Sequence, residues 1–432
     1  MEYTRKEVIQ YVTENDVKFI KLFFPDIFGD IKSISIQPSL LDRAFEEGVS
    51  FDASAVKGFL NVAMSDLFIV PEPATLSVLP WRPQHGRVAR LYCNIRYLDG
   101  TPFEGDSRLI LQKVVERAAA AGFTVNVGTE CEFYLFRRDE NGMPTSVPHD
   151  AAGYCDLAPL DRGENVRRDI IIALEQMGIA PETSHHEAGP GQNEIDFKYD
   201  TPLRAADNLA TFKSAVRTIA AQDGLFASFM PKPFFADGAR LQGQEQEHPG
   251  SGLHVNLSLH KDGRNLFSMD DEEGKSFVAG ILAHIREITA FLNPLQQSYR
   301  RFGQFEAPKY VSWSSQNRSQ LIRVPAATGN AVRIELRSPD PSCNQYLALA
   351  LIIAAGLDGV EHKLALMPPE NRNLFETPEL ELSHLEQLPP TLGVALSIAQ
   401  GSELVKSIIP EQTLSTFVKV KSSKSDPKFG II

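Results

Sequence analysis

The stretch VNVGTECEFYLF (125–136) decides the fold. Alternate side chains of a strand point to opposite faces of a sheet. Here Val125, Val127, Cys131, Phe133 and Leu135 fall on one side, while Glu130 and Glu132 sit together on the other. The same parity recurs in GLHVNLSLH (252–260), where Leu253, Val255, Leu257 and Leu259 oppose His254, Asn256 and Ser258. In AVRIELRS (331–338), Val332, Ile334 and Leu336 form the apolar side, and Arg333, Glu335 and Arg337 the polar one. SHHEAGPGQNEIDFKY (184–199) adds Glu187 and, past a Gly/Pro turn, Glu194. Such strands among irregularly spaced helices predict an α+β fold with an antiparallel sheet that is wet on one face.

A solvated strand face usually favours threonine, lysine and mixed charges, whereas these faces carry glutamate pairs, a histidine and an Arg-Glu-Arg comb. Two carboxylates at i and i+2 repel each other unless a cation lies between them. Five glutamates and one imidazole, with few lysines nearby, match two hard divalent cations such as Mg²⁺ or Mn²⁺. The lack of a thiolate set or HExxH spacing argues against zinc. Two cations with several arginines are the equipment of phosphoryl transfer, and no GxxxxGK[ST] loop is present to bind a nucleotide in the P-loop manner. Spacing thus leads to a metal-dependent enzyme acting on phosphate and a carboxylate substrate, and names no reaction.

Composition bounds the rest. The 432 residues are 43% hydrophobic and 23% charged, which excludes a largely disordered or fibrous chain, and the length predicts two or three domains. Acids outnumber bases 55 to 43, a formal charge of −12 that speaks against nucleic-acid binding. The longest apolar run, 346–357, is too short to span a membrane and reads as core helix. The first residues lack the apolar centre of a signal peptide. Cys93, Cys131, Cys155 and Cys343 are widely spaced with no CxxC pair, so reduced thiols and a cytoplasmic location are expected.

Along the chain, Thr4 and Glu7 predict a capping box opening a helix to about residue 15. Strands follow at 17–24 and 31–36, joined by the turn PDIFGD, then a helix within 37–50 and a proline-rich stretch over 51–103. Residues 1–103 read as a small α+β domain, bounded by TPFEGDSR (101–108), and 104–432 as a larger one. Its helices are expected at 107–121 with Ser107 as N-cap, and at 164–177, 204–222, 271–292 and 344–366. Residues 418–432 read as a polar, lysine-rich tail.

Ordered motifs then become specific: FDASAVKGF (51–59), GTECEFYLF (128–136), SHHEAGPGQNEIDFKY (184–199), MPKPFF (230–235) and GSGLHVNLSL (250–259). EAP (306–308), SSQNRSQLIRVP (314–325), RIELRSPDP (333–341) and NQYLALALIIAAGLDG (344–359) continue the series. Over about residues 10–370 the chain resembles bacterial-type (class I) glutamine synthetases. The resemblance implies a β-grasp N-terminal domain (1–103) and a catalytic domain (104–432) with a curved antiparallel sheet and flanking helices. It also implies active sites shared between subunits of a double-ring dodecamer. The implied reaction phosphorylates the γ-carboxylate of glutamate with ATP, and ammonia then displaces the phosphate to give glutamine.

By position, the resemblance assigns Glu132, Glu187 and Glu194 to a metal beside glutamate and ammonium, and Glu130, His254 and Glu335 to a metal holding the ATP phosphates. Arg318 and Arg323 match arginines around the transferring phosphate, Arg301 and Arg337 those holding glutamate carboxylates, and Gly250 a backbone contact to glutamate. Tyr199, Ser258 and Arg333 match ATP positions. Asp52 matches the aspartate that deprotonates ammonium from an adjacent subunit, in a pocket with Glu187 and Tyr154, and Glu306 matches the glutamate that closes the site. His185 and His186 are expected to orient or support rather than ligate. The chain departs from the usual motifs at Ala55, Asn61 and Pro249, over 236–247 and 373–375, and from about residue 376 onward. Two alternatives follow from these departures: a γ-glutamyl amine ligase using methylamine, ethanolamine or a polyamine, and a catalytically weak regulatory relative.

Overall fold

The computed structural model describes residues 3–82, 85–233, 248–267 and 271–423. Thr4 forms the expected capping box, its N–H donating to Glu7 Oε2 at 2.7 Å, and starts α1 (Arg5–Glu14). Strands β1 (Val17–Pro25) and β2 (Ile31–Ile36) make an antiparallel hairpin with Ile20 opposite Ile36. Its turn is shaped by Asp26 Oδ1, which accepts from the N–H groups of Phe28 and Asp30 at 2.9 and 3.1 Å. The helix expected within 37–50 is shorter, α2 (Leu41–Glu46), because Gly48 at φ +79° turns the chain into β3 (Val49–Asp52). The proline-rich stretch supplies β4 (Asp66–Pro71), β5 (Ser77–Val78) and β6 (Arg87–Arg96). The first sheet runs β2-β1-β6-β4-β3 with β1 and β6 parallel, and β5 pairs β6.

A second, ten-stranded sheet is built around β7 (Phe123–Arg138). It includes β8 (Pro144–Pro148), β9 (Pro181–His186), β10 (Gln192–Phe197), β11 (Leu225–Ser228) and β12 (Leu253–Lys261). β13 (Arg264–Asn265), β14 (Trp313–Ser315), β15 (Ile322–Val324) and β16 (Ile334–Leu336) complete it. The main path is β14-β15-β16-β12-β7-β10-β9, antiparallel except between β14 and β15. Val125, Val127, Cys131, Phe133 and Leu135 are buried, so β7 keeps the parity read from its sequence.

The helices are α3 (Ser107–Ala120), α4 (Glu164–Gln176), α5 (Pro202–Gln222), α6 (Glu272–Leu292) and α7 (Gln345–Glu361), followed by α8 (Leu392–Gly401), α9 (Glu403–Ile408) and α10 (Glu411–Ser423). α3 and α5 cover the apolar side of β7, and α7 packs against α3, α5 and α6. The apolar run 346–357 is buried core, as expected. One core joins this unit to the first sheet, and Arg108 paired with Asp207 at 2.8 Å lies buried between them. Among the described residues no helix is long and apolar enough to cross a membrane.

Some boundaries differ from those expected. Asp106, not Ser107, caps α3: its Oδ1 accepts from Arg108 N–H at 2.9 Å while its Oδ2 accepts from Ile95 N–H at 3.0 Å. α5 begins at Pro202, suited to a first helical turn whose N–H has no partner. α7 stops at Glu361 rather than 366, because Lys363 takes φ +50° and Leu364 N–H turns back to Gly359 O at 2.9 Å. That closure normally uses glycine, so lysine hid it. The expected tail is helical up to Ser423, with Phe417 stacked 4.5 Å from Phe291. The remainder of that tail and the 236–247 stretch lie outside the described residues.

Candidate active site

The wet face of the second sheet is a ladder of facing pairs. Arg323 lies opposite Glu335, and Glu335 opposite Asn256. His254 lies opposite Glu130, Glu132 opposite Glu194, and Glu194 opposite His185. This register is set by the buried partners on the other face, since a one-residue slip would turn the carboxylates into the core. Glu187 follows β9, where its N–H is held by Gln192 O at 2.8 Å.

The two ends of the ladder differ in charge. Glu335, 1% exposed, accepts from Arg323 Nη1 and Arg337 Nη1, each at 2.5 Å. His254 Nδ1 lies 3.2 Å from Glu130 Oε2 and 3.5 Å from Glu335 Oε1. Asn256 Nδ2 donates to Glu130 Oε1 at 2.8 Å and its Oδ1 accepts from Arg333 Nε at 2.9 Å. Burial acts to raise Glu130, but His254 and Asn256 outweigh it and hold this carboxyl at about 2. Glu335 is likewise lowered, burial being outweighed by His254 and Arg337. At the other end burial raises Glu132. Burial, reinforced by Asp196, Glu132, Glu130 and Glu187, pushes Glu194 well above the ordinary carboxylate range. That end carries more negative charge than the protein itself neutralises.

A cleft of about 1060 Å³ opens over this face. The residues expected in the site line it apart from four: Asp52, Tyr199, Ser258 and Glu335, the last held by the lining residues Arg323 and Arg337. Arg301 is 3% exposed and donates to Ser338 O at 3.1 Å. Glu306 hangs over the mouth, 3.3 Å from Arg337 Nη2 and 4.0 Å from Arg318 Nη1. Tyr154 is exposed and stands edge-on to His185 at 5.3 Å. Ser258 lies further along β12, 3.5 Å from Asn126 Nδ2, and Tyr199 flanks Gly128; neither lines the cleft. Asp52 ends β3 in the other sheet, exposed, and its carboxylate is held low by the hydroxyl and N–H of Ser54.

A family model described as "Glutamine synthetase, catalytic domain" matches residues 104–428, and one described as "Glutamine synthetase, beta-Grasp domain" matches 16–97. The chain belongs to the glutamine synthetase family. A glutamine synthetase of Clostridium saccharobutylicum is 45% identical over 98% of this chain and 96% of its own length. One of Methanosarcina mazei is 45% identical over 99% and 96%, and one of Staphylococcus aureus 42% identical over 98% and 95%. Among solved structures, a GmaS/ADP complex superposes with a TM-score of 0.85 at 29% identity, covering 96% of this chain and 95% of that one. GmaS without ligand gives 0.84 at 29% identity, over 96% and 94%.

Glutamine synthetases use ATP and divalent metal, and the donor set here fits a hard cation. Glu130, His254 and Glu335 bring one ligand atom each within 4.8 Å of one another, as do His185, Glu187 and Glu194. A Cβ on Gly252 would fall 2.8 Å from His254 Nε2 and 3.2 Å from Glu132 Oε1, so the space between them is a cradle kept open by glycine. Oxygen-rich ligands with one imidazole suit Mg²⁺ or Mn²⁺. Glu132 departs from the expected grouping: its Oε2 accepts from Gln192 Nε2 at 2.7 Å and Gly252 N–H at 3.0 Å, and His185 completes the second triple. His185 Nε2 also lies 2.8 Å from Glu187 Oε1.

Sequence reasoning missed several residues in and around this cleft. Asp196 lines the cleft opposite Glu130, and the parity that selected Glu194 selects it too. Gln192, the donor to Glu132, had no signal beyond the same parity. A third group, Asp150, Asp161 and His186, is buried but internally satisfied. Arg167 pairs with Asp161 at 2.6 Å, and His186 bridges Asp150 Oδ1 at 2.9 Å and Glu187 O at 2.6 Å. Both partners of His186 are acceptors, so both ring nitrogens carry protons. The hydrogen bond to Asp150 raises His186 against its burial, and Asp150 is held at about 2, its burial outweighed by His186. This pair pins the backbone at Glu187. Asp150→Asn is therefore expected to raise KM for ammonium roughly tenfold while leaving KM for ATP within twofold, as steady-state kinetics would reveal. Equal rises in both would show that the pair supports only the fold.

Proposed function

We propose that this chain joins ammonia to the γ-carboxylate of L-glutamate at the expense of ATP, through γ-glutamyl phosphate, giving glutamine, ADP and phosphate. The observation that carries the reading is the polarity of one sheet face: an arginine end, where Arg323 and Arg337 hold the buried Glu335, and an acid-rich end at Glu194, with both arginines and Glu194 lining a single cleft. Phosphate anions suit the first end and a cationic nucleophile precursor the second.

Glu130, His254 and Glu335 would hold one divalent cation, and Glu132, Glu187 and Glu194, with His185 beside them, a second, either Mg²⁺ or Mn²⁺. Such cations neutralise charge on the transferring phosphoryl oxygens. Arg323 and Arg318 bind the phosphate, Arg301 and Arg337 the glutamate carboxylates, and Gly250 offers backbone to glutamate. Tyr199, Ser258 and Arg333 hold ATP. Glu187 and Tyr154 receive ammonium, whose proton must leave before its nitrogen can attack. Glu306 closes the mouth and excludes water from the acyl phosphate.

Asp52 lies away from its own chain's cleft. The reading assigns it to a neighbour's site, within a homo-oligomer of the two-ring dodecameric kind that the family resemblance implies. The same reading divides the chain at 103/104 into a β-grasp and a catalytic domain, in a cytoplasmic protein.

A second reading has a specific departure behind it: Pro249 lines the cleft, and its carbonyl accepts from Tyr134 OH at 2.6 Å. That edge belongs to the substrate end, so a γ-glutamyl amine ligase using methylamine, ethanolamine or a polyamine is the alternative. The curated glutamine synthetases at 42–45% identity support ammonium. Purified protein with Mg²⁺, ATP and glutamate is expected to release phosphate with ammonium at a kcat/KM at least tenfold above that for any of these amines. A larger alkylamine winning the panel would transfer the assignment to the ligase, and no turnover with any amine would reject both.

A further inference from the structure

A second pocket, of about 360 Å³, shares no lining residue with the active-site cleft. It lies where the β1–β2 turn meets α5 and the N-terminus of α7. Its walls are fixed in place. Asn344 Nδ2 donates to Asp26 O at 3.3 Å, and a Cβ on Gly29 would sit 2.7 Å from Asn344 Cα, so the turn rests directly on the start of α7.

The pocket is faced by cations that have no anionic partner among the described residues. Lys213 and Arg217, one helical turn apart on α5, both face it. Lys213 is 8% exposed, and its ammonium reaches only neutral oxygens, Gln345 Oε1 at 3.3 Å and Cys343 O at 3.5 Å. Arg217 has the Phe229 ring 5.1 Å away. Neither cation forms an ion pair with a carboxylate among the described residues. The nearby acids are occupied: Asp30 by Lys32 at 3.5 Å, and Asp340 by Ser342 N–H at 3.0 Å and Asn293 Nδ2 at 3.0 Å.

Gln345 supplies an independent sign. It is 2% exposed and lines the pocket, yet its Nε2 has no hydrogen-bond partner. The amide cannot be turned over, because its oxygen must accept from Lys213. A buried amide donor without an acceptor is destabilising, and burial lowers both Lys213 and Arg217. The positive end of α7 adds to the same field. Apart from Asp30, which lines the pocket beside Lys32, the charged and unpaired groups that face this space ask for negative charge.

We propose that this pocket binds a small tetrahedral oxyanion, inorganic phosphate or the phosphoryl group of a small metabolite, between Lys213, Arg217 and Gln345. Bound there, the anion ties the β1–β2 turn to α5 and α7, and so couples the first sheet to the catalytic one. The site is independent of the substrate reading of the active-site cleft.

Thermal unfolding of the full chain in chloride buffer, with inorganic phosphate as probe, tests the proposal. Phosphate is expected to raise the midpoint by roughly 2 °C, and Arg217→Gln to abolish that gain. Arg323→Gln, which weakens phosphate binding in the active site, is expected to keep it. Ser214→Leu, which fills the pocket from its rim, should abolish the gain as well and serves if Arg217→Gln does not fold. Replacing inorganic phosphate with a phosphate monoester distinguishes the free ion from the phosphoryl group of a small metabolite. A gain that survives both pocket variants, or that vanishes in Arg323→Gln, would place the ion in the active site and overturn the proposal. A larger gain from succinate, lost in Arg217→Gln, would overturn the tetrahedral assignment in favour of a dicarboxylate.

Discussion

Glu335→Gln is expected to lower kcat for phosphate release by at least about 10³-fold and to destabilise the fold by about 3 kcal/mol. The substitution keeps size and shape, so the effect is electrostatic. Each carboxylate oxygen of Glu335 accepts a guanidinium N–H at 2.5 Å, Oε2 from Arg323 and Oε1 from Arg337. A carboxamide can accept only one of these, and its NH₂ must then face the other arginine, donor against donor. Two guanidinium groups would share a buried site with one negative charge fewer, at a position 1% exposed. The same change removes an anionic ligand from the group formed with Glu130 and His254. A continuous phosphate assay and urea unfolding at neutral pH measure the two losses separately. A variant that retains kcat within tenfold of wild type would show that Glu335 stands outside the chemistry.

How much of this was legible in the sequence depends on the range of the interaction. Parity along a strand is local, so the burial of Val125 to Leu135 and the wet face bearing Glu130 and Glu132 could be read directly. What parity cannot give is which strands are neighbours. That His254 faces Glu130, and Glu194 faces Glu132, is a property of the sheet order, and only the resemblance to a known family anticipated it. Helix ends failed where the signal was absent or ambiguous: a lysine in the left-handed closure of α7, and adjacent aspartate and serine at the start of α3. His186 was legible as a supporting residue, but its partner Asp150 was not, because it lies far from His186 in the chain and resembles an ordinary polar residue. Asp196 could have been found from its spacing after Glu194, since both project from the same side of β10.

Gly252→Ala is expected to weaken Mn²⁺ binding by about 100-fold or more, and kcat with it, while leaving the thermal midpoint within about 2 °C of wild type. The reason lies in what the added methyl group meets. Its Cβ would stand 2.8 Å from His254 Nε2 and 3.2 Å from Glu132 Oε1, the far ends of two side chains that can swing aside at little cost to the fold. The site pays instead, because His254 and Glu132 flank the space where a cation would bind. Gly250→Ala provides the contrast two residues earlier. There the Cβ would lie 2.4 Å from Pro231 O, a backbone atom, so strand and loop must shift, with a destabilisation of about 1–3 kcal/mol. Manganese titration followed by electron paramagnetic resonance, with unfolding curves for both variants, separates a lost cradle from a lost fold. If Gly252→Ala bound Mn²⁺ as tightly as wild type, the cation would not sit between His254 and Glu132. If it unfolded as readily as Gly250→Ala, the glycine would be there for the chain and not for the site.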